Sequence, residues 1–421
     1  MFGEYGSSRA IVRSCLFVVF VLFLAPSLGL ANPGGKVEGP PPKAPHEVSS
    51  KLCSSCHVQI YKEWESSMHA QSTALKDPIH GAFYRKVIGD PTKEGVTKKD
   101  KYPVCLRCHA PNAAIQGKTK LDAKPAFKEG VNCIYCHTID GFKGTVKEDG
   151  KLRLGQAAYT NSKTALQAPS GKNYSTSPEP VETTDVTMPF HPFPMVAGNP
   201  AVQKTNDMCM GCHDRRNNFH GVPLCATGDE IADSKTSVTC QACHMPVVDG
   251  HADHSMLGGH SEDMVRRAVI MTMDVSQAKE GFVANVEITN KLPHKFPTGA
   301  PFRNAYVKIT AYDANGEQLW RNFKTHPLKD DPGSVMVYTL GDGKGNPSMP
   351  PKAKEVLSDT RIEPHGVKKL QYKIPVTKGV KVVRAELLYN LLLPNLVKNL
   401  DQVLTHDLKQ PKVAAIAEKR M

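Results

Sequence analysis

Long apolar runs are scarce in this 421-residue chain. Beyond residue 31 no segment is long enough to cross a bilayer, and little continuous apolar sequence occurs between Gly89 and Met264. A domain of that size needs an apolar interior, so this stretch does not predict an ordinary globular core built from side chains alone. No cysteine follows Cys243. Any chemistry that depends on thiols is therefore confined to the earlier part of the chain.

Basic residues exceed acidic ones, but they form no patch of the nucleic-acid-binding type. The formal net charge is +12. No basic run is interleaved with aromatic residues, which is the pattern that contacts phosphates and stacks on bases. We therefore predict no nucleic-acid partner.

The chain contains five copies of the pattern C-x-x-C-H. Two thiols at this spacing can form thioethers to one porphyrin, and the following imidazole can reach its iron. Disulfides and zinc-binding C-x-x-C pairs are the alternatives. Histidine makes up 17 of 421 residues, so its chance occurrence after all five pairs has odds on the order of one in ten million. The spacing predicts five covalently bound haem c groups. The five signatures, numbered 1 to 5 below, are Cys53, Cys56 and His57; Cys105, Cys108 and His109; Cys133, Cys136 and His137; Cys209, Cys212 and His213; and Cys240, Cys243 and His244.

Haem propionates explain much of the basic excess. A ferric haem with two histidine ligands carries about −1 and a ferrous one about −2, so five of them lower a mature chain of about +11 to roughly +6 or +1. They would also supply the missing hydrophobic mass between Gly89 and Met264. We therefore expect the first half not to fold without haem.

Signature 1 opens a stretch that predicts one amphipathic helix. Apolar residues recur every fourth position from Leu52 to Met68, with no proline or glycine. On a helix His69 would lie roughly 18 Å along the axis and about 120° around it from His57. The two rings cannot then bind the same iron, so His69 is predicted to serve a different haem.

The second axial ligand of each iron must come from the twelve histidines outside the signatures. His69 is predicted from the helix geometry, and His80 follows Asp77-Pro78 in a predicted loop. A glycine-rich loop from Gly250 to His260 contains three histidines, of which His254 and His260 are the predicted ligands. His294 lies in LPHKFPTG, where prolines would hold the ring rigidly. Methionine ligation, for instance by Met256, is an open alternative that would raise the potential of that haem; the reserve histidines are His191 and His220.

The first residues predict export. Residues 1–31 combine two arginines, an apolar run and a small-residue cleavage site, which is typical of a secretory signal peptide. A retained membrane anchor is the alternative. Residues 32–45 are rich in proline and glycine and predict a flexible leader. We expect a periplasmic protein, with the cell surface or the extracellular space as other destinations. Cys225 is left outside the signatures, either buried or free to react or to pair between chains.

The pattern of apolar residues changes near Val265. Alternating apolar residues predict strands at 282–288, 307–311, 370–374 and 380–389, and Asp313-Ala314-Asn315-Gly316 predicts a hairpin turn. A terminal helix is predicted over Asn395 to Leu408. The chain is therefore predicted to be an α + β protein of two domains: a helical, loop-rich pentahaem domain over 46–264, an antiparallel β-sandwich over 265–392, and a C-terminal helix and tail over 393–421. The polar segment from Asn161 to Pro200 is predicted to be an extended loop without regular structure.

At the signatures the chain resembles a family of multihaem c-type cytochromes. The matching text is CSSCHVQIYKEWESSMHA at Cys53, CLRCHAP at Cys105, EGVNCIYCH ending at His137, and TCQACHMP followed by HSMLGGH. It is similar to the relatives of the tetrahaem cytochrome c-554, which share haem-packing patterns with hydroxylamine oxidoreductase and pentahaem nitrite reductase. HKFPTG looks like a motif found where a β-domain is appended to such a haem domain. The resemblance spans roughly residues 50 to 320 and implies electron transfer.

Two departures from the enzymes of that group bear on function. None of the five signatures ends in lysine, as the active-site haem motif of the nitrite reductase does, and no haem-crosslinking tyrosine is identifiable. We therefore expect an electron carrier, moving single electrons along closely packed haems with two histidine ligands each in a respiratory chain. The first alternative is an oxidoreductase of nitrite or hydroxylamine with one five-coordinate haem, where Arg215 and Arg216 could hold an anion. The second is a subunit of an extracellular filament. The expected partners are other cytochromes or a membrane quinol-linked donor, with self-assembly through the β-domain as a further option.

Overall fold

The computed structural model describes residues 44–176, 186–187, 191–376 and 378–421. The predicted signal peptide and almost all of the predicted leader lie outside these residues. From residue 44 onward the described chain belongs to one compact unit. None of the helices in the described ranges has the length and apolar character that a bilayer crossing requires.

The first half is built from short helices and turns. Most helices span only one or two turns, and several contain or follow a signature. Short 3-10 helices cover Pro45–Glu47, Ser50–Ser55 and Gly155–Ala158. The α-helices are α1 Val58–Ser66, α2 Met68–Gln71, α3 Pro78–Val87, α4 Leu106–His109, α5 Pro111–Ile115, α6 Pro125–Lys128, α7 Cys133–His137, α8 Pro200–Gln203, α9 Asp207–His213, α10 Thr227–Asp233, α11 Cys240–His244 and α12 Glu262–Arg267.

Small strands accompany these helices. The segment from Asn161 to Pro200 was predicted to lack regular structure, but its described residues include strands β3 to β6, which form a four-stranded mixed sheet. Strands of two or three residues are too short to produce a readable alternation, which is why the sequence did not predict them. The strands are β1 Ile139–Phe142, β2 Tyr159–Asn161, β3 Leu166–Ala168, β4 Tyr174–Ser175, β5 Val186–Thr187, β6 Met195–Ala197, β7 Arg216–Asn217, β8 Pro223–Cys225, β9 Val247–Val248 and β10 His251–Ala252.

The second half consists of two antiparallel sheets. One has the strand order β11-β12-β17, and the other β16-β15-β13-β18-β19 with β14 also paired to β13. Helices and 3-10 turns lie in the connections: α13 Pro327–Asp330, α14 Pro394–Asn399, α15 His406–Lys409, and 3-10 turns at Pro332–Ser334 and Pro350–Lys352. The strands are β11 Val269–Ala278, β12 Gly281–Asn290, β13 Asn304–Tyr312, β14 Gln318–Arg321, β15 Val335–Gly341, β16 Glu355–Asp359, β17 Val367–Ile374, β18 Val382–Asn390 and β19 Lys412–Arg420.

The two sheets bury a shared apolar core. Along β13 the side chains of Val307, Ile309 and Ala311 are completely buried, and along β12 Ala284 and Ile288 are buried as well. These alternating positions are the ones that predicted the strands, because successive side chains of a strand point to opposite faces. The α + β organisation is thus confirmed. The boundary at residue 264 stays a prediction, since the two halves pack into one unit.

The C-terminal part differs from the prediction. Two short helices, α14 and α15, replace the single helix expected over Asn395 to Leu408, and β19 follows as an edge strand paired with β18. The sandwich therefore extends to Arg420 rather than ending at residue 392. Ala414 is buried, while Ile416, two residues later, is 56% exposed. In a half-buried strand the apolar residues alternate and share one buried face. The apolar residues of β19 do not follow this pattern.

The helix that begins at signature 1 is interrupted. Its N-terminal part is the 3-10 helix Ser50–Ser55, and a break at Ser67 separates α1 from α2. Ser67 has an extended backbone, and its hydroxyl accepts a hydrogen bond from the Ala70 amide as an N-cap. Such a cap starts a new helix. The straight-helix geometry predicted for His57 and His69 is therefore wrong, and the position of His69 depends on α2.

His80 lies on helix α3 and not in a loop. Pro78 occupies the first turn, and the Asp77 carboxylate accepts hydrogen bonds from the amides of Ile79 (2.8 Å) and His80 (3.1 Å). Asp-Pro is a helix-start signal as much as a helix-stop signal. The prediction treated the pair only as a break.

Several contacts join the two halves. Ile79 of α3 belongs to the core of the β half, and the rings of Phe83 and Phe302 stack at 5.9 Å. On another side Val222 packs with Leu340 of β15. These contacts fix α3, which carries His80, against the sheets.

Candidate haem-binding sites

Each signature lies on a turn that points its three functional groups to one side. In signatures 2 to 5 the histidine is the last residue of a helix, namely α4, α7, α9 or α11. In signature 1 the cysteines lie on and just after the 3-10 helix Ser50–Ser55, and His57 precedes α1. Positions three and four residues apart share a helix face. Two sulfur atoms and one imidazole therefore face the same space, as thioether attachment of a haem requires.

Thiol contacts bring signatures distant in sequence together. The thiol groups of Cys53 and Cys133, of Cys108 and Cys212, and of Cys209 and Cys240 lie close enough to shift one another's pKa. No disulfide joins any of the eleven cysteines of the described residues. Signature 1 thus lies beside signature 3, signature 2 beside signature 4, and signature 4 beside signature 5.

Backbone carbonyls orient the imidazole rings. Metal-binding histidines usually donate one ring N–H to such a partner, which leaves the other nitrogen free to bind the metal. In six histidines the Nδ1 atom lies 2.6 to 3.4 Å from a carbonyl oxygen. The pairs are His109 with Ser72, His137 with Gln167, His191 with Phe193, His244 with Leu257, His254 with Ala252, and His294 with Lys295. In each of these residues Nε2 is the nitrogen available for iron.

Two ring pairs have the separation of axial ligands. The ring centroids of His69 and His213 are 6.0 Å apart, and those of His137 and His254 are 6.5 Å apart. A metal–imidazole bond is about 2 Å long, so two rings on opposite sides of one metal ion have centroids about 6 Å apart. Signatures 3 and 4 therefore fit an iron held between two histidines.

His80 and His109 are also neighbours, but their rings are closer together than the roughly 6 Å of two ligands on one iron. The rings stack at 3.8 Å with an angle of 14° between the planes, and the buried Nε2 of His80 has no hydrogen-bond partner in the described structure. A buried nitrogen of this kind is costly unless a ligand satisfies it. Desolvation lowers the pKa of His80 and lowers the pKa of His109 to about 4. Both rings are therefore neutral at pH 7, which is the metal-binding form.

His294 is the neighbour of signature 5. Desolvation lowers the pKa of His294, and the nearby ring of His244 lowers it further. His294 lies in the loop between β12 and β13, so this ligand candidate comes from the β half.

His191 lies near signature 1, and part of signature 3 is close by. Desolvation lowers the pKa of His57, and the neighbouring rings of His191 and His254 add to the effect. Phe193, whose carbonyl accepts from His191, packs in the small apolar cluster that includes Cys53. The structure thus brings His191 to the signature that lacked a partner.

The predicted ligand His260 lies elsewhere. Desolvation and the positive charges of Arg303 and Lys412 lower its pKa to about 4, and it does not occur among the ring pairs of the described residues. Ring pairing or charge contacts place the other four predicted second ligands, His69, His80, His254 and His294, next to a signature histidine. The sequence contained a signal for His191, since Pro189 and Pro192 flank it much as Pro293 and Pro297 flank His294.

Three other side chains named from the sequence have different surroundings. The Met256 sulfur lies 2.7 Å from Nδ1 of His69. Arg215 forms a bidentate ion pair with Asp229 on the surface. Arg216 lies near signature 2. Cys212 is the main cause of the lowered pKa of Cys108 and desolvation the main cause of the lowered pKa of His109, and the positive charge of Arg216 lowers both further.

Exposed apolar side chains surround the signatures. Leu52 and Val58 flank signature 1, Val104 precedes signature 2, and Val247 and Val248 follow signature 5, each with at least 41% of its surface exposed. Apolar groups next to paired imidazoles fit the faces and edges of a porphyrin.

Comparison with known proteins agrees with this geometry. The family described as cytochrome c554 and c-prime matches residues 52–138. The crystal structure of a penta-heme cytochrome c552 from Thermochromatium tepidum is 48% identical in sequence, with a TM-score of 0.81, over 90% of this chain and 100% of that one. The chain belongs to the multihaem c-type cytochromes. No curated protein sequence matches it.

Membership of this family gives the signatures their chemistry. The cytochrome binds haem c covalently, and it acts in electron transfer or redox chemistry. The β half, which the resemblance at HKFPTG implied, is present as the two antiparallel sheets.

Proposed function

We propose that this cytochrome is an exported electron carrier with five covalently bound haem c groups, each held between two histidines. The observation that carries the proposal is that each signature histidine interacts with a second histidine, through ring contacts for His109, His137 and His213 and through charge for His57 and His244. With both axial positions taken by protein, substrate has no direct access to iron. The proposed pairs are His57 with His191, His109 with His80, His137 with His254, His213 with His69, and His244 with His294.

The chain's own residues would hold five redox centres close together. Iron in haem c supplies a reversible one-electron change. Thiol contacts join signatures 1 with 3, 2 with 4, and 4 with 5, and Cys136 of signature 3 lies near Cys209 of signature 4. These contacts support a continuous path in which all five signatures take part.

Partners and location follow from the same proposal. The cytochrome would exchange electrons with other redox proteins, such as cytochromes or a membrane quinol-linked donor, in a respiratory chain. Export to the periplasm is supported by the signal-like residues 1–31, since haem c attachment is completed outside the cytoplasm. The surroundings of Arg215 count against the enzyme alternative, because Asp229 already occupies the guanidinium group that would hold an anion.

Electron paramagnetic resonance of the oxidised protein, combined with a haem count, tests this function. We expect five haems per chain, low-spin signals only, and no cyanide-induced spectral change. The variant His254→Gly serves as a positive reference, because it removes the proposed second ligand of signature 3 and should create one cyanide-binding haem. A high-spin signal or nitrite turnover in the wild-type protein would favour the oxidoreductase alternative.

A further inference from the structure

A cluster of buried charges lies where the His294 loop meets the first half. Its members are Glu230 on α10, Asp359 at the end of β16, Arg361 two residues later, and Lys295 in the loop itself; we call it the interdomain charge cluster. Glu230 is only 5% exposed and the Arg361 side chain 12%. Charged groups are rarely so buried without a specific arrangement of partners.

Glu230 connects the two halves through both of its oxygens. One carboxylate oxygen lies 2.8 Å from Nη1 of Arg361. The other accepts hydrogen bonds from the Lys295 amide (3.1 Å) and the Thr298 hydroxyl (2.6 Å). Lys295 and Thr298 lie on either side of the Phe296-Pro297 dipeptide, so one carboxylate from the haem half holds the loop at two points.

Arg361 and Asp359 hold Glu230 in place from the opposite side. Arg361 donates to both oxygens of Asp359 at 2.8 Å through Nε and Nη2, and its guanidinium lies 4.9 Å from the Tyr338 ring centre. A bidentate arginine–carboxylate pair fixes direction as well as distance. The Lys295 ammonium also reaches Asp359 (3.1 Å).

The loop has little other freedom. Asn290 donates a 2.8 Å hydrogen bond to the His294 carbonyl, and Phe296 exchanges backbone hydrogen bonds with Ile362. His294 is therefore fastened by its own carbonyl and by the next residue's amide. Its imidazole can approach signature 5 only where these bonds place it.

From this geometry we infer that Glu230 and Arg361 are positioning residues, which hold His294 as the second axial ligand opposite His244. The inference rests on the proposed function, because it requires the iron at signature 5 to have two histidine ligands. It also assigns a role to the β half: contact between the halves keeps that iron closed to small ligands. If the contacts of the interdomain charge cluster are lost, the His294 loop moves away from signature 5, and the iron there becomes accessible to small ligands.

Cyanide binding to the oxidised full-length holoprotein tests the inference. Glu230→Gln keeps the side-chain shape but removes the charge that holds Arg361 and the loop. We expect a full haem count and cyanide binding to one haem per chain, at least about tenfold faster than in wild type, the factor for about 1.4 kcal/mol. Arg361→Gln should act in the same direction, while Arg361→Lys should restore part of the wild-type resistance because it keeps the charge.

Two further variants make the outcomes separable. Lys308→Gln breaks a comparable ion pair with Glu386 between β13 and β18, away from the loop, and should leave cyanide binding unchanged. His294→Gly should open the same haem completely. If His294→Gly has no effect, the ligand assignment under the proposed function fails. If it opens the haem while Glu230→Gln and Arg361→Gln both behave like wild type, the positioning role fails.

Should Glu230→Gln lose haem, Arg361→Gln decides the matter. Full haem content together with faster cyanide binding than in Lys308→Gln would support the positioning role. Full haem content with wild-type resistance would overturn it.

Discussion

At the residue scale, hydrogen bonds between buried polar side chains connect the segments of signatures 2 and 3. Asn112, at the start of α5 after signature 2, donates to Oδ1 of Asn132 (2.8 Å) and contacts His46 through its own oxygen (3.2 Å). The same Asn132 oxygen accepts from the Tyr135 amide and caps the helix of signature 3. All three polar side chains are at least 96% buried. Each group depends on its partner, since an unpaired polar atom here could not turn to solvent.

Replacing Asn132 by alanine tests this dependence. The change removes a helix cap and leaves the Asn112 amide without its acceptor, so we expect a loss of about 2 to 3 kcal/mol in the free energy of unfolding. Urea unfolding followed by circular dichroism measures it. Asn199→Ala is the matched control, because Asn199 caps α8 on the surface and its loss should cost about 1 kcal/mol or less. Equal costs at the two positions would show that burial of the Asn112 and Asn132 pair adds nothing.

At the scale of elements, the last strand closes the larger sheet. β19 pairs with β18 along its length, and Ala414 at its start is buried in the main core. Further along, Ile416 is 56% exposed. One strand thus has a position that belongs to the core and a position two residues away that faces outward.

This asymmetry predicts different results for the same substitution. Ala414→Asp would bury a carboxylate in the apolar core and should reduce the free energy of unfolding by more than about 3 kcal/mol. Ile416→Asp should change it by no more than about 0.5 kcal/mol. Thermal unfolding of the two holoprotein variants, measured side by side, is the test. Similar stability of the two would mean that β19 is not packed on the core as described.

In the whole molecule, buried apolar residues are distributed unevenly between the two halves. Among the described residues, the largest buried cluster contains 28 residues and lies almost entirely in the β half, whereas the clusters of the first half contain eight or fewer. Small clusters cannot offset the conformational entropy of ordering some two hundred residues. We therefore expect the first half to depend on its prosthetic groups for stability.

Haem removal should consequently unfold one half only. When the full chain is produced in a host without cytochrome maturation, we expect amide hydrogen exchange to be fast throughout α4, α7, α9 and α11 and slow in β12, β13 and β18. Hydrogen-exchange mass spectrometry against the holoprotein gives the comparison. Slow exchange in the signature helices of the haem-free chain would contradict the dependence on haem.

Part of this structure could be predicted from the sequence, and part could not. The sequence predicted the central strands β12, β13 and β18, because each contains a stretch in which buried and less buried residues alternate. It missed β19, β11 and the short strands between Asn161 and Pro200, and it joined α1 and α2 into one helix, because Ser67 breaks the helix without a proline or glycine. The second ligands stay predictions: His69, His80, His254 and His294 lie near signature histidines, whereas His191, and not the predicted His260, lies near signature 1.

The sequence by itself determined the division into a helical half and a β half, and it predicts the haem attachment points. Both depend on spacings of a few residues, and such local spacing is written directly in the chain. Only the tertiary structure decided which histidine faces which signature and which signatures are neighbours. The rings of His69 and His213 are 6.0 Å apart, and His294 lies close enough to His244 for that ring to affect its pKa, across separations of 144 and 50 residues. Those encounters depend on how turns, caps and the charge cluster around Glu230 direct the chain through space.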